Sequence, residues 1–439
     1  MVAAPSPVPA PLPAGAMGLG DASDHAGRPA LDAGRVARQD RMREHNLSLA
    51  LAEVVGAREP VSRAQVAART GLSRAAVSGL VDVLVAAGLV RELAPVALPR
   101  AGRPATPLVP APGAVAGLGL EVNVDYLGVR AVDLAGSVLA EHVEHADLSG
   151  SDPAQVLERL AAMATDVRDG LVATGTRVAG AALALPGLVD RGAGAGGPLR
   201  VAPNLGWRDV DLGPSSPLAA LAPLVANEAD LAARAEAHER RGDRPPSFFY
   251  VSGEIGIGGA TVIDGELQAG RHGWAGEVGH VVVGTAPDGR LQVLEQVAGQ
   301  HALLRAAGLP TSAGLSELER VAAQGAAGTV TEVASALRGA GRALGVALAA
   351  VAHVADVDEV VLGGTFAALF DVLAAEVTAT LAELVVFDAW SPVRVSAARA
   401  GRYAALTGGA LAVLAQVVAR PSAWTRPSAP VASAPTATT

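Results

Sequence analysis

The sequence predicts an α/β protein in which a small, basic winged helix-turn-helix precedes a long body of alternating strands and helices. Three observations predict it. Within residues 62–88 a short helical pattern, a glycine turn and a longer helical pattern follow one another. From about Ala114 onward, β-branched runs alternate with Ala- and Leu-rich helical stretches, as in a layered α/β domain. Charge divides at the same place. Between Gly34 and Pro104 stand eleven Arg against six Asp or Glu, about +5; the 439-residue chain carries −9, so the remainder carries about −14. A basic module on an acidic body implies that only the first part meets an anionic polymer.

Composition excludes several classes. There is no cysteine, hence no disulfide, thiol catalysis or thiolate metal site, and a cytoplasmic chain is expected. No apolar run approaches the roughly 18 residues of a membrane span. The start, "MVAAPSPVPAPLPAGAMG", is broken by prolines and lacks a basic region, so residues 1–33 read as a disordered tail rather than a signal peptide. The closing stretch 421–439, "PSAWTRPSAPVASAPTATT", reads as a second such tail. Every basic residue is Arg, which looks like GC-rich coding bias.

The elements between these tails follow in order. "NLSLALAEVVGA" places Leu47, Leu49, Leu51, Val54 and Val55 at helical spacing. Ser62 can cap a helix to about Thr70, with Gln65 placed for a capping box, and Gly71 ends it. Ser73 caps a second helix through Ala87, with Val77, Leu80, Val81 and Leu84 as its apolar face and Gly88 closing it. "VRELAPVALPRAGRPATPLV" then alternates apolar residues around Pro99–Pro104, the pattern of a β-hairpin wing. An ordinary helical hairpin would share this grammar. Three features favour DNA: the start of the second helix (Ser73, Arg74, Ala75, Ala76, Ser78) is small and polar with one Arg, the local charge is positive, and the wing tip "RAGRP" offers Arg100 and Arg103 to a minor groove. Ser62, at the first cap, joins them as a candidate contact.

The body opens with the alternating strands of "GLGLEVNVDYLGVRAVDLAGSVLAEH", turning at Asp133–Gly136. A helical pattern covers Pro153–Thr174, and a strand over Val178–Ala184 ends in "LPG". A strand enters a helix at Asn227; "SFFYVSGEIGIGGATVIDGEL" reads as two strands around a glycine-rich turn. A long helix follows at about Glu332–His353, then the strand "DEVVLGGTF". The turn Ser252–Gly259 could cradle phosphate or be a plain hairpin turn, since a strand and not a helix follows it. "AGEVGH" sets Glu277 and His280 three apart, with Glu295 beyond; residue types alone leave a solvated turn, a metal site, an acid–base pair and a ligand site open.

Taken in order, "VNVDYLGVRAVDLAG", "LPGLVD", "APNLGW", "VANEADLAARAE", "SGEIGIGGATVIDGEL", "AGEVGH" and "EVVLGG" resemble the ROK family over about residues 40–418, and the helix-turn-helix ahead of them is similar to its repressor branch, that of the xylose and N-acetylglucosamine repressors. The resemblance implies a two-lobed actin-like ATPase fold, ribonuclease-H-like in each lobe. The chain would then divide into a winged helix-turn-helix at 34–110 and the two lobes at 114–420. It also implies a sugar site at Asn227, Glu228, Glu277, His280 and Glu295, carboxylates accepting from vicinal hydroxyls.

Departures from the family pattern imply that kinase chemistry is lost. Its D-x-G-G-T phosphate loop reads Glu121-Val122-Asn123-Val124-Asp125 here, Glu254 replaces the usual Thr of the second loop, and Glu228 stands at the catalytic Asp position. Carboxylates where phosphate would lie oppose phosphoryl transfer, which rests on neutralising that charge. The cysteine run that holds structural zinc in the family is deleted, so no metal and no ATP are expected. The expectation is a cytoplasmic DNA-binding repressor that senses a sugar or sugar derivative, has a double-stranded DNA operator, no membrane partner, and forms a homodimer or tetramer. A sugar kinase carrying a DNA-binding head, or a ligand-independent DNA-binding protein with a vestigial cleft, are the alternatives.

Overall fold

The computed structural model describes residues 29–94, 106–190, 199–242, 244–311, 313–326 and 331–425. The chain falls into two compact units, Met1–Glu44 and His45–Thr439. The first contributes the opening turns of helix α1 (Pro29–Gly56), which begins inside the segment expected as a tail up to residue 33. Everything below concerns the second unit.

The head contains β1 (Val61–Ser62), α2 (Arg63–Thr70), α3 (Arg74–Ala86), β2 (Val90–Glu92) and β3 (Pro107–Pro110), with β3 central and antiparallel to both other strands. The expected caps form. Ser62 accepts from the Gln65 amide while the Gln65 side chain takes the Ser62 N–H. Gly71 closes α2 in the left-handed conformation, and Ser73 caps α3 through the Ala76 amide. Val77, Val81 and Leu84 are fully buried, together with Leu47, Leu51 and Val54 of α1. The wing tip, with Arg100 and Arg103, lies outside the described residues.

The body runs β4 (Val115–Val122), β5 (Tyr126–Asp133), β6 (Val138–His145), α4 (Pro153–Ala173), β7 (Arg177–Leu185), β8 (Leu188–Val189), β9 (Leu199–Ala202), β10 (Trp207–Val210), β11 (Leu224–Asn227) and α5 (Glu228–Glu239). A second lobe follows: β12 (Phe248–Gly253), β13 (Ile257–Ile263), β14 (Glu266–Leu267), β15 (Val282–Thr285), β16 (Leu291–Val293), α6–α8 (Leu294–Ala298, Gln300–Ala306, Leu315–Ala326), α9 (Thr331–Ala355), β17 (Glu359–Gly364), α10 and α11 (Thr365–Ala368, Phe370–Leu384) and β18 (Arg394–Ala397). Helix α12 (Ala404–Ala419) returns to the first lobe.

Each lobe is built on a five-stranded sheet of the same plan, ordered β11-β7-β4-β5-β6 and β14-β13-β12-β17-β18. In both, three strands are parallel and the others antiparallel. The parallel strands deliver their C-terminal ends to the gap between the sheets, where open α/β sheets bind ligands. Strands buried on both faces explain why β4 and β5 read as near-continuous apolar runs.

Head and first lobe share one core. Leu47, Val77, Leu84 and Leu108 of the head pack in a single cluster with Val115, Leu134, Leu414 and Val417 of the body. Arg177, at the start of β7, donates to the Ala87 carbonyl at the end of α3 (2.8 Å) and to the Trp424 carbonyl (3.1 Å), its guanidinium 5.5 Å from the Trp424 ring centre. Trp424 belongs to a short 3₁₀ turn, Pro421–Trp424, so the segment expected as a tail from 421 is folded at its start. Arg58 donates to the Glu239 carbonyl at the end of α5 (2.9 Å). Helix α12 lies so close along α5 that a Cβ at Gly408 would fall 1.7 Å from the Leu231 carbonyl oxygen; only glycine permits the approach.

Candidate functional site

In the head, Ser73, Arg74, Ala75 and Ala76 are exposed at the N-terminus of α3, the end that enters a major groove in helix-turn-helix proteins. Ser78 is half-buried, and both its carbonyl and hydroxyl oxygens accept from Arg63 Nη1, at 2.8 and 3.1 Å. Ser62 is occupied by its capping box. These two of the expected contacts therefore serve the fold first. Arg63 is also paired with Asp82 and Glu92, so its charge is answered within the head.

The cleft gathers the expected hydroxyl-binding residues from four elements. Asn227 ends β11 and caps α5: its carbonyl accepts from the Ala229 amide (2.7 Å) and its amide donates to the Gly187 carbonyl (2.9 Å). One of its N–H groups is thereby committed, and one remains. Glu228 follows at the first position of α5. Glu277 sits on a tight loop that presses against β13. Gly276 has φ +97, and a Cβ there would fall 1.8 Å from the Gly259 carbonyl oxygen, while its own carbonyl accepts from the Gly259 amide (2.9 Å). That contact is why glycines flank both stretches in the sequence. Glu295 opens α6 and accepts from the Ile257 amide (3.1 Å).

Electrostatics ties these groups together. Burial pushes the Glu277 carboxyl up, His280 opposes this and Glu295 adds to it. His280 itself is exposed. Glu228 is held well above its ordinary range, first by burial and then by Glu254, Glu121 and Glu277. Its neighbours include two residues that the sequence placed in the phosphate loops, Glu121 and Glu254. Asn123 bridges Glu254 and Glu228: Nδ2 donates to Glu254 Oε2 (2.5 Å) and to Glu228 Oε2 (3.3 Å). Glu121 is 2% exposed, and burial followed by Glu254 raises its carboxyl to about 8. Sequence reasoning treated these glutamates as scattered losses; it missed that they meet.

This lining does not suit a triphosphate, because Glu121, Glu228 and Glu254 stand where charge would need neutralising and Arg402 is the one cation among the described residues beside them. Nor does it suit the family's zinc: the sequence has no cysteine, and among the described residues no group of three or more His, Asp or Glu could hold a metal ion. Where the sequence showed a shortened loop, β15 and β16 form a small hairpin that leads directly to Glu295. A wider cavity of about 960 Å³ opens beside the cluster, lined by Asn123, Asp125, Glu254, His301, Thr365 and Arg402 among others.

Two lobes of one plan, a cleft at their strand ends and a winged helix-turn-helix packed on the first lobe define the class: an actin-like body carrying a helix-turn-helix head. Residues 117–416 match the model of the ROK family, and residues 48–97 match that of the MarR family. The chain belongs to the ROK family. It is 28% identical over 249 residues to the xylose repressor of Bacillus subtilis (strain 168), covering 56% of this chain and 63% of the repressor, so the match spans less than two thirds of that relative. It is 31% identical over 245 residues to the kanosamine kinase of Amycolatopsis mediterranei (strain S699), covering 53% of this chain and 76% of the kinase. In fold it resembles a crystal structure of a ROK family transcriptional regulator, a homologue of the E. coli MLC protein, with TM-score 0.69 and 23% identity over 88% of this chain and 99% of that one. Among the described residues no helix is long and apolar enough to cross a membrane.

Proposed function

We propose that this protein is a DNA-binding transcriptional repressor whose operator affinity is set by a sugar or sugar derivative bound in a kinase-inactive ROK cleft. One observation carries the reading: the recognition helix and the cleft belong to one packed body. Helix α5 starts at Asn227 and Glu228 in the cleft and ends at Glu239, whose carbonyl holds Arg58 of the head. Its neighbour α12 packs into the core that the head shares. A ligand that shifts the lobes has a stiff route to the head, and it regulates to the extent that its affinity differs between the two head arrangements.

Ser73, Arg74, Ala75 and Ala76 meet the major groove, with Ser62 and Ser78 holding the helices in place and Arg100 and Arg103 serving the minor groove. Asn227, Glu228, Glu277, His280 and Glu295 hold hydroxyls. The similarity to xylose repressors supports a repressor, and the carboxylates at Glu121, Glu228 and Glu254 support the loss of phosphoryl transfer. The protein works in the cytoplasm without metal or nucleotide, as a homodimer that sets two heads on a palindromic operator.

The test is a gel-shift assay with the DNA upstream of its own gene, repeated with a panel of pentoses and hexoses, alongside ATP turnover with the same sugars. Operator binding released by a sugar, with no turnover, is the expected result. Robust phosphorylation would establish instead a sugar kinase with a DNA-binding head.

A further inference from the structure

The knot of acids deep in the cleft holds one carboxyl that is only partly answered, Tyr126 and Asn123 being hydrogen-bonded to Glu121. Glu121 Oε2 is buried without a hydrogen-bond partner among the described residues. It lines a cavity of about 20 Å³, room for one water-sized group, whose other walls include Glu228, Glu254, Tyr250, Ser252 and Arg402. With Tyr126, three carboxyls and three hydroxyls therefore converge on a space the size of a single small donor. Among the described residues Arg402 is the one cation on its wall, beside three carboxyls that burial pushes towards the protonated form.

We propose that this pocket takes a primary ammonium group of the cleft's ligand. This rests on the reading of the cleft as a ligand sensor and names the ligand's class. An ammonium is water-sized, carries one positive charge and offers three N–H donors, one for each of Glu121, Glu228 and Glu254. A phosphate would meet three carboxyls with Arg402 as the one cation among the described residues to answer it. A divalent metal needs a tighter ligand group than any the described residues provide. Glu228 also feels Glu277, so an aminated sugar held by Glu277, His280 and Glu295 could reach the pocket with its amine. An aliphatic amine entering through the wider cavity, which shares Tyr126, Glu254, Gly364, Gly401 and Arg402 with the pocket, is the other source of the same chemistry.

Binding should release protons. Burial and then Glu254 keep Glu121 protonated near neutral pH, against the opposing pull of its hydrogen bonds with Tyr126 and Asn123 and of the Arg130 charge. An arriving ammonium brings its own charge and displaces that proton.

Calorimetry on the full chain tests this with glucose, its 2-, 3- and 6-amino derivatives, and putrescine, each at pH 7 in two buffers of different ionisation heat. At least one amine is expected to bind tenfold or more tighter than glucose and to release a proton. Glu121→Gln should erase that advantage while leaving operator binding and circular dichroism unchanged. Preference for an amino sugar, or for putrescine, assigns the source. Amines that bind no tighter than glucose, or an advantage that survives Glu121→Gln, would overturn the proposal and leave the sugar reading intact. If neither plain nor aminated sugars bind and putrescine does, the sugar reading fails and the ammonium site stands; if nothing binds, both fail.

Discussion

The head and the cleft of this protein are built by opposite means. In the head, each helix is fixed by neighbours three or four residues away: Ser62 by Gln65, Ser73 by Ala76, α2 by Gly71. In the cleft, the groups that define the chemistry come from far apart. Asn123 reaches Glu228 across 105 residues and Glu254 across 131. The head uses its polar residues to satisfy its own backbone and leaves one small helix start exposed. The cleft crowds acids whose charges oppose one another and whose protons are held by burial. A recognition surface can be local; a ligand site that two lobes share cannot.

Breaking the head should give the largest effect. Leu84 is fully buried in the core the head shares with the body, so Leu84→Ala should cost about 2–5 kcal/mol and lower the melting temperature by several degrees, measured by calorimetry. At the exposed start of α3, Arg74→Ala should weaken specific operator binding by about 1–3 kcal/mol, roughly 5- to 150-fold, with stability and ligand binding unchanged. Arg74→Lys would recover part of it if the contact is mainly to phosphate. The coupling between the regions is sharpened by Arg177→Ala. Losing its bonds to the Ala87 and Trp424 carbonyls should reduce the effector's influence on the operator several-fold while leaving ligand affinity unchanged, read from gel shifts at saturating ligand.

The cleft gives a pH signature. Glu121 in the folded state titrates at about 8, against an ordinary value of 4.5. Its folded form therefore holds a proton that the unfolded chain releases, and stability is fully present below the ordinary value and falls as pH rises through about 8. Melting temperature should decline over that window in the wild type and decline less in Glu121→Gln. An equal slope in both proteins would show that other groups dominate.

The contrast also explains what could be read from the sequence. Caps, glycine stops and the apolar face Val77, Leu80, Val81 and Leu84 are local grammar, legible residue by residue, with Leu80 only partly buried. The parallel strands and their helices were legible as alternation. Two ends were misjudged: α1 begins at Pro29 and a folded turn reaches Trp424, because Pro- and Ala-rich composition does not distinguish a tail from a segment with a proline at its first turn. The proposed hydroxyl-binding role of Glu277 and His280 came from family resemblance, since two polar residues in a glycine-bounded turn carry no such message alone. The meeting of Glu121, Glu228 and Glu254 could not be read at all, because it depends on how the two sheets face each other. One signal was available: Glu121 stands at the end of an otherwise apolar strand, where a carboxylate has no reason to be unless something meets it.

The central claim, that the cleft controls the head, is tested most directly by a reciprocal titration. Operator affinity is measured with and without a saturating cleft ligand, and ligand affinity with and without saturating operator, in the wild type and in Glu277→Ala. Linkage requires the two factors in the wild type to be equal, and a coupling of about 1–3 kcal/mol gives roughly 5- to 150-fold in each direction. The account predicts equal factors well above one in the wild type, lost with ligand binding in Glu277→Ala, whose unliganded operator affinity is unchanged. An operator affinity indifferent to the bound ligand would contradict it and leave a DNA-binding protein with a silent cleft.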